Sequence, residues 1–252
     1  YMAFEDDADN DYYEVAGAFV AEGMNFWLGI GTQQDEGAAN IDMWRVKGYG
    51  DISLGEGGKL YGEFDWKTGD KGMNSATDIK SWAGIFGWMG NFGNVAPSVH
   101  VAYISGQNND ATEDTAYSVS KGTGADWEPL YIMTGQATNV LNGDRGASLV
   151  GTAVRTSGVL ALIGLVDYKV SEDLTLHGGI GWGQADETEW MGPGVDDSYG
   201  WEFDAGLSYK VYQNLTYDVH FGYWMVGDFA ELGYSDLETQ DIVLLSHHLS
   251  MK

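Results

Sequence analysis

The sequence predicts an all-β protein, an antiparallel transmembrane β-barrel that runs as a meander of about 10–12 strands in a single domain, residues 1–252. Three observations predict it: side chains alternate with period two, one hairpin phrase occurs twice, and short turns alternate with long acidic connections. The clearest alternation runs from Tyr199 to Val211, where apolar side chains take every second position. This pattern gives a strand one apolar and one polar face.

The composition indicates an ordered, acidic protein. The 252 residues carry 38 acidic and 12 basic side chains, a formal net charge of −26, and include 10 Trp, 15 Tyr and 9 Phe. Disordered acidic chains lack aromatic residues in such numbers. Nucleic acid is excluded as a partner, because phosphate binding needs a basic patch. The absence of cysteine excludes disulfides, thiolate metal sites and cysteine nucleophiles.

A repeated hairpin supports the meander. Residues 166–176, VDYKVSEDLTL, match residues 207–217, LSYKVYQNLTY, without a gap. In the second copy, a short turn at 212–214 joins the strand that ends at Val211 to a second alternating segment, 215–225. Two alternating segments joined by a short turn form an antiparallel hairpin.

The connections between predicted strands are of two kinds. The short turns lie at 22–23, 55–58, 91–94, 171–173 and 212–214. The long, acidic connections lie at 33–41, 69–78, 187–198 and 229–238, and a loop region around 107–156 is expected to be extracellular. Outer-membrane barrels combine short periplasmic turns with long outer loops. A soluble meander can have the same asymmetry, and this alternative stays open.

A membrane-spanning helix is not predicted, because it needs about 20 apolar residues and the longest uncharged, strongly apolar run, 156–166, is far shorter. Aromatic side chains stand near the ends of the predicted strands, namely Trp44, Trp66, Tyr199, Trp201, Tyr209 and Tyr223. Such positions are typical of the aromatic girdles of a membrane barrel. Aromatic cross-strand pairs in a soluble sheet are the alternative interpretation.

The alternation assigns side chains to two environments. The residues predicted to face lipid are Trp201, Phe203, Leu207, Tyr217, Val219 and Phe221. The residues predicted to line a water-filled pore are Arg45, Lys47, Asp51, Glu63, Asp65, Lys67, Glu202, Asp204, Lys210, Asp218 and His220. An acid-rich lining favours cations and neutral solutes. Arg45 and Lys47 facing Glu63 and Asp65 across one hairpin would form a transverse charge ladder, with ordinary interstrand pairing as the alternative.

Catalytic and metal sites are not predicted. His247 and His248 are adjacent, so in a strand they point to opposite faces and cannot share a metal ion. His177 and His220 fall on the polar faces, where they are expected to be solvated. Asp7, Asp9 and Asp11 suggest calcium, but counting from Asp7 an EF-hand would need Gly and Glu at its sixth and twelfth positions, where the chain has Tyr and Ala. Ca²⁺ loosely bound by acidic loops is left as an alternative.

Three short phrases resemble a known family: YKVYQNLT at 209–216, WEPLY at 127–131 and GWE at 200–202. The last strand, 241–252, resembles the closing strand of Gram-negative outer-membrane porins, with apolar residues at alternate positions. Over roughly residues 120–252 the chain looks like porin-like and alginate-export-like barrels. The resemblance implies location in the bacterial outer membrane, with lipid and lipopolysaccharide as partners and a homo-oligomer as an open alternative. A polyanion exporter needs a basic lumen, from which this acidic chain departs.

The sequence thus predicts an outer-membrane channel, a porin, that passes small hydrophilic solutes by diffusion, prefers cations and has neither cofactor nor catalytic activity. A secreted or surface β-protein that binds carbohydrate or calcium is the alternative. Eleven strands can be counted, whereas bacterial single-chain barrels normally have an even number. We therefore expect that further strands precede Tyr1, to about 16–18 in total.

Overall fold

The structure is a computed structural model that describes residues 10–35, 40–72, 77–117, 129–134, 157–231 and 238–251. The predicted fold class is confirmed, since all the strands belong to one twelve-stranded sheet. The strands are β1 (Asn10–Ala21), β2 (Met24–Asp35), β3 (Ile41–Ser53), β4 (Lys59–Lys71), β5 (Thr77–Met89), β6 (Val95–Ile104), β7 (Glu113–Asp114), β8 (Val159–Lys169), β9 (Leu174–Gln184), β10 (Ser198–Tyr212), β11 (Leu215–Val226) and β12 (Ile242–Met251).

The sheet is an antiparallel meander. Eleven long strands pair each with the next in the order β1 to β6 and then β8 to β12, and β7 pairs in parallel with the start of β5. The eleven long strands correspond to the eleven counted in the sequence, whereas the two-residue β7 was not predicted. In the described part of the chain, β1 and β12 are the two edges of the sheet and do not pair with each other.

The short turns all lie at the same end of the strands, as the meander requires. The turn between β3 and β4 contains one turn of 3₁₀ helix, Gly55–Gly57, and closes with Gly58 at φ +101°. A Cβ atom at Gly58 would lie 2.1 Å from the carbonyl oxygen of Met89, so both the backbone angle and the space require glycine. The long connections, at the opposite end of the strands, contain two further 3₁₀ turns, Glu189–Met191 and Asp228–Glu231.

In a soluble protein the apolar face of a sheet is buried and the polar face is exposed, and in this sheet the exposure of the two faces is reversed. Trp201, Phe203 and Phe221 lie on one face, here called the apolar face, and are 41 to 44% exposed. Glu202, between Trp201 and Phe203, lies on the other face, here called the polar face, and is 0% exposed. Within the described residues, no helix is long and apolar enough to cross a membrane.

The buried core lies on the polar face, where a short irregular segment, Pro129–Thr134, covers strands β8 to β12. We call these six residues the inner segment. The core cluster consists of Leu130, Tyr131, Ile132 and Met133 of this segment with Ile163 of β8 and Trp224 of β11. The loop region predicted at 107–156 therefore contributes residues to one face of the sheet, and its parts at 118–128 and 135–156 lie outside the described residues.

Candidate functional site

All the residues predicted to line a pore share the polar face. On β10 and β11 the register pairs Glu202 with Trp224, Asp204 with Gly222 and Ser208 with Asp218. On β3 and β4 it pairs Arg45 with Lys67 and Lys47 with Asp65. The register of the intervening strands, followed pair by pair, places both groups on the same side. The residues predicted to face lipid, from Trp201 to Phe221, all lie on the apolar face.

An ion pair with a phenol occupies the polar face of β3 and β4. Arg45 Nε donates to both carboxylate oxygens of Asp65 at 2.8 Å, and a second guanidinium nitrogen, Nη2, also donates to Asp65. The hydroxyl of Tyr117, which follows β7, donates to Asp65 at 2.7 Å. Burial, followed by hydrogen bonding to Asp65, raises the pKa of Tyr117, so its hydroxyl stays protonated. Lys67 Nζ lies 4.1 Å from the centroid of the same ring.

The four charges of the predicted ladder form one ordinary interstrand pair, which is the alternative to the ladder. Arg45 pairs with Asp65, but Lys47 turns to β1, where its Nζ lies 2.7 Å from Glu14 Oε2 and 5.6 Å from the centroid of the Trp27 ring. Glu63 stands opposite Tyr49 in the register and is exposed. The sequence prediction therefore missed β1 and β2 as partners, because alternation gives the face of a side chain but not the neighbour it turns to.

Two further predicted residues differ in their surroundings. Asp51 accepts hydrogen bonds from Asn25 Nδ2 at 3.2 Å and from Tyr49 Oη at 2.8 Å, and is 9% exposed. Lys210 is exposed near the short-turn edge, where its backbone N–H donates to the carbonyl of Asp173 at 2.8 Å. Asp51 thus belongs to a hydrogen-bonded group. Among the residues that the structure describes, the Lys210 side chain does not.

The carboxylates of β10 bind the backbone of the inner segment. The N–H of Ile132 donates to Glu202 Oε1 at 2.6 Å, and the N–H of Met133 donates to Glu202 Oε2. The preceding N–H, of Tyr131, donates to Asp204 Oδ2 at 3.0 Å. Three consecutive amides thus meet two carboxylates that the strand places two residues apart on one face. Hydrogen bonds to an ionised acceptor are stronger than those between neutral groups.

Glycines on the polar face make room for the side chains of the inner segment. A Cβ at Gly181 of β9 would lie 2.3 Å from Leu130, one at Gly206 of β10 would lie 2.3 Å from the Tyr131 hydroxyl, and one at Gly222 of β11 would lie 3.0 Å from Ile132. Leu130 is 0% exposed, and burial of a leucine contributes about 1.5–3 kcal/mol. Burial also raises the pKa of Tyr131 to about 12, which keeps its hydroxyl neutral.

A row of hydrogen-bonded side chains crosses five strands of the polar face, from β8 to β12. Asp167 Oδ1 lies 2.7 Å from His177 Nδ1, and His177 Nε2 lies 2.9 Å from Ser208 Oγ. Ser208 donates to Asp218, and His248 Nε2 lies 3.2 Å from the second oxygen of Asp218. We call these five side chains the transverse row. His177 was expected to be solvated; its side chain is 28% exposed, and residues of both neighbouring strands also hydrogen-bond its ring.

His220 lies beside the transverse row, under the inner segment. Its ring stacks on His248 with centroids 5.5 Å apart and meets the edge of Tyr131 at 4.6 Å. Both its nitrogens and Asp204 Oδ1 are buried and have no hydrogen-bond partner among the described residues. The expectation that His220 is a solvated side chain is therefore wrong. The prediction that His247 and His248 point to opposite faces is confirmed, since His247 lies beside Tyr217 on the apolar face.

A metal centre is not found in the part of the chain that the structure describes, where no group of three or more His, Cys, Asp or Glu side chains is placed to hold an ion. Asp11 lies on β1, and Asp7 and Asp9 lie outside the described residues. Calcium binding by these three residues and by acidic loops stays a prediction.

The fold and its two faces define the class of protein. The long strands have 10 to 15 residues in one antiparallel meander. Large apolar side chains are exposed on one face, and charged side chains, including the buried Asp51, Asp65 and Glu202, lie on the other. This is the arrangement of an outer-membrane β-barrel, whose strands alternate apolar and polar residues.

Comparison with known proteins gives structural likeness alone. No family model matches the chain, and no curated protein matches it. Among solved structures, the chain is similar to the NanC porin, at 9% identity and a TM-score of 0.43, over 98% of this chain and 95% of that one. It is also similar to OccK5 (OpdH) and OccK11 (OpdR) of Pseudomonas aeruginosa, at 14% and 12% identity, each with a TM-score of 0.48 and over 95% of this chain. The chain spans 57% of the length of each of these two structures. The alginate-export part of the resemblance stays a prediction.

Proposed function

We propose that this chain is an outer-membrane channel that passes small hydrophilic solutes by passive diffusion and prefers cations. The observation that carries the proposal is the reversed exposure of the two faces: Phe203 is 41% exposed, whereas its neighbour Glu202 is 0% exposed. In water, such an apolar face would be a large exposed hydrophobic patch. In a bilayer, the same face lies against lipid and is stable there.

The proposal assigns the polar face to the lumen and the apolar face to lipid and lipopolysaccharide. A Lys or Arg at the lipid midplane costs about 2–4 kcal/mol, which disfavours placing the polar face of β3 and β4, with Arg45, Lys47 and Lys67, toward lipid. The same reasoning keeps Leu207, Val219 and the other predicted lipid-facing residues outside. Passive diffusion requires neither a cofactor nor a catalytic group.

The inner segment narrows the proposed lumen. Its residues Leu130 to Met133 cover Glu202, Asp204 and Trp224 on the polar face. Because the segment occupies space on the face assigned to the lumen, the passage beside it is smaller than the bare sheet would give. Selection of small solutes follows from this narrowing.

The cation preference rests on the charges of the proposed lining. Among the eleven predicted lining residues, six are acidic and four are basic, which leaves a formal charge of −2 with His220 neutral. The ion pairs of Arg45 with Asp65 and of Lys47 with Glu14 hold two of the four cations against carboxylates. The carboxylates that attract mobile cations into the lumen are those that the inner segment leaves uncovered, such as Glu63, which is exposed.

The test is reconstitution of the folded protein into a planar bilayer under a salt gradient. We expect stepwise conductance and a reversal potential of the cation-selective sign. A folded, heat-modifiable protein that gives no conductance steps would contradict the channel, and an anion-selective sign would contradict the preference. Extraction separates the alternative class, because a secreted or surface binding protein stays soluble without detergent.

A further inference from the structure

We infer that Glu202 is the positioning residue of the inner segment, and that it holds the segment against the sheet most tightly while its carboxylate is ionised. The inference deepens the proposed function, because the position of the segment would set the width of the channel. The attachment of the segment to the sheet can be measured without recording channel currents.

The geometry of Glu202 supports this role. Its two oxygens accept hydrogen bonds from two consecutive backbone amides, those of Ile132 and Met133, while the side chain is 0% exposed. A buried carboxylate requires donors that replace water, and the amides of Ile132 and Met133 supply one to each oxygen. The contact is reciprocal, since without Glu202 these amides would be buried without an acceptor.

The surrounding sheet cannot replace the carboxylate. Three positions beneath the segment, Gly181, Gly206 and Gly222, are glycines, which offer space for side chains but no acceptor for amides, and Asp204 accepts from the amide of Tyr131 alone. Thr134 contributes inside the segment, where its Oγ1 accepts from the N–H of Leu130 at 2.7 Å and donates to the carbonyl of Leu130 at 2.8 Å. These bonds shape the segment but do not attach it to the sheet.

The charge dependence follows from the direction of the hydrogen bonds. An ionised carboxylate accepts at both oxygens, whereas a protonated one presents an O–H to one of the two amides, so one bond is lost. The hold should therefore weaken as the pH falls. The other titratable groups around this place, on the strands and on the segment, are Asp167, His177, Asp204, Asp218, His220, His248 and Tyr131.

The experiment uses the absence of cysteine from the whole chain. Met133→Cys introduces a single thiol at a position that is 6% exposed and keeps the backbone amide that binds Glu202. Gln213→Cys, in the exposed turn between β10 and β11, gives a second protein with a freely accessible thiol. The rate of labelling of the folded protein by a bulky maleimide, divided by the rate for Gln213→Cys at the same pH, reports how often the segment leaves the sheet.

We expect Glu202→Gln in the Met133→Cys background to raise the normalised labelling rate by about tenfold or more at neutral pH, because one amide then faces the donor end of the Gln amide. The matched control is Glu172→Gln, which removes the same charge from an exposed turn and should leave the rate unchanged. Equal labelling with and without Glu202→Gln would overturn the inference. So would a Met133→Cys thiol that is already as accessible as the control thiol.

A pH profile keeps the inference testable if Glu202→Gln fails to fold. The Met133→Cys protein, otherwise unchanged, should show a normalised rate that rises as the pH falls from neutral toward about 4, where unperturbed carboxyl groups gain protons. A flat profile in protein that stays heat-modifiable would overturn the inference. If Glu202→Gln folds, its own profile should be flatter. Changed labelling without any conductance would reject the channel and leave the positioning role intact.

Discussion

Replacing Phe203 by lysine tests which face meets lipid. The apolar positions of β10 run from Trp201 to Val211 with Ala205 midway between the aromatic residues Trp201 and Tyr209. Phe203 is two residues from Ala205, about 6.6 Å along the strand, or about 5 Å along the membrane normal for a strand tilted by about 40°. It therefore lies well inside an apolar band about 25 Å tall.

The expected cost of Phe203→Lys follows from this depth. A lysine near the midplane costs about 2–4 kcal/mol. Loss of the contacts with its neighbours Tyr223 and Ile180 removes a further part of the about 1.5–3 kcal/mol that a buried Phe contributes. The free energy of unfolding should fall by about 3–6 kcal/mol. Val211→Lys is the matched control: six residues from Ala205, it lies about 15 Å from the midplane, where lysine costs about 0–1 kcal/mol.

The assay is urea-dependent folding into lipid vesicles, followed by the shift between the heat-modified and compact bands on a gel. The slope with urea should be the same for both variants, so that the difference in midpoint reports stability. Equal costs for Phe203→Lys and Val211→Lys would refute the assignment of depth. A cost near zero for both would refute the assignment of the apolar face to lipid.

Three further predictions concern the polar face and the loops. A double-mutant cycle on Arg45→Ala and Asp65→Ala should give a coupling of about 1.5–3 kcal/mol, because the pair is mostly shielded and hydrogen-bonded at several atoms; additive effects would contradict it. Gly181→Val should lower stability by about 1–3 kcal/mol by displacing Leu130, whereas Gly17→Val, with nothing within 4 Å of its Cβ position, should change it by less than about 0.5 kcal/mol in the same urea titration. Glu187→Gln should stabilise the protein at neutral pH, because burial and then the charges of Asp186 and Glu189 raise the pKa of Glu187 in its loop. Its carboxylate is thus disfavoured above the folded-state pKa, and the gain should vanish as the pH falls below about 4; a gain that grows in acid would contradict this.

The strands and their faces could be predicted from the sequence because period two is a local property. The alternation needs no information from elsewhere in the chain, and the observed β10 agrees with it from Trp201 to Tyr209. Tyr199 departs from it, since this side chain is 3% exposed and lies within the register irregularity between Ser198 and Gly200. The short turns are equally local, because each is shaped by a residue within it, such as Gly58 at positive φ or Ser171, whose Oγ accepts from the N–H of Asp173. The sequence therefore placed Glu202 and Asp218 on the polar face correctly.

The partners of these residues could not be predicted, because they come from distant parts of the chain. Glu202 binds the amide of Ile132, seventy residues earlier, and neither a hydrophobic period nor a motif marks that contact. The phrase at 127–131 was noted only as a resemblance. A signal was present in the glycines at 179, 181 and 183, which leave the second half of the polar face of β9, beyond His177, without side chains. Another part of the chain can pack closely against a strand face that carries only glycines.

The transverse row has a consequence for the correct assembly of the sheet. A strand that slips by two residues keeps every apolar side chain on its own side, so the period-two pattern alone cannot distinguish the slipped pairing from the native one. The chain of bonds from Asp167 through Ser208 to His248 can, because each bond depends on residues that meet only in the native alignment. A slip of β9, β10 or β11 would break bonds on both of its sides at once. The row thus favours one alignment across five strands over the slipped alignments that the apolar pattern alone permits.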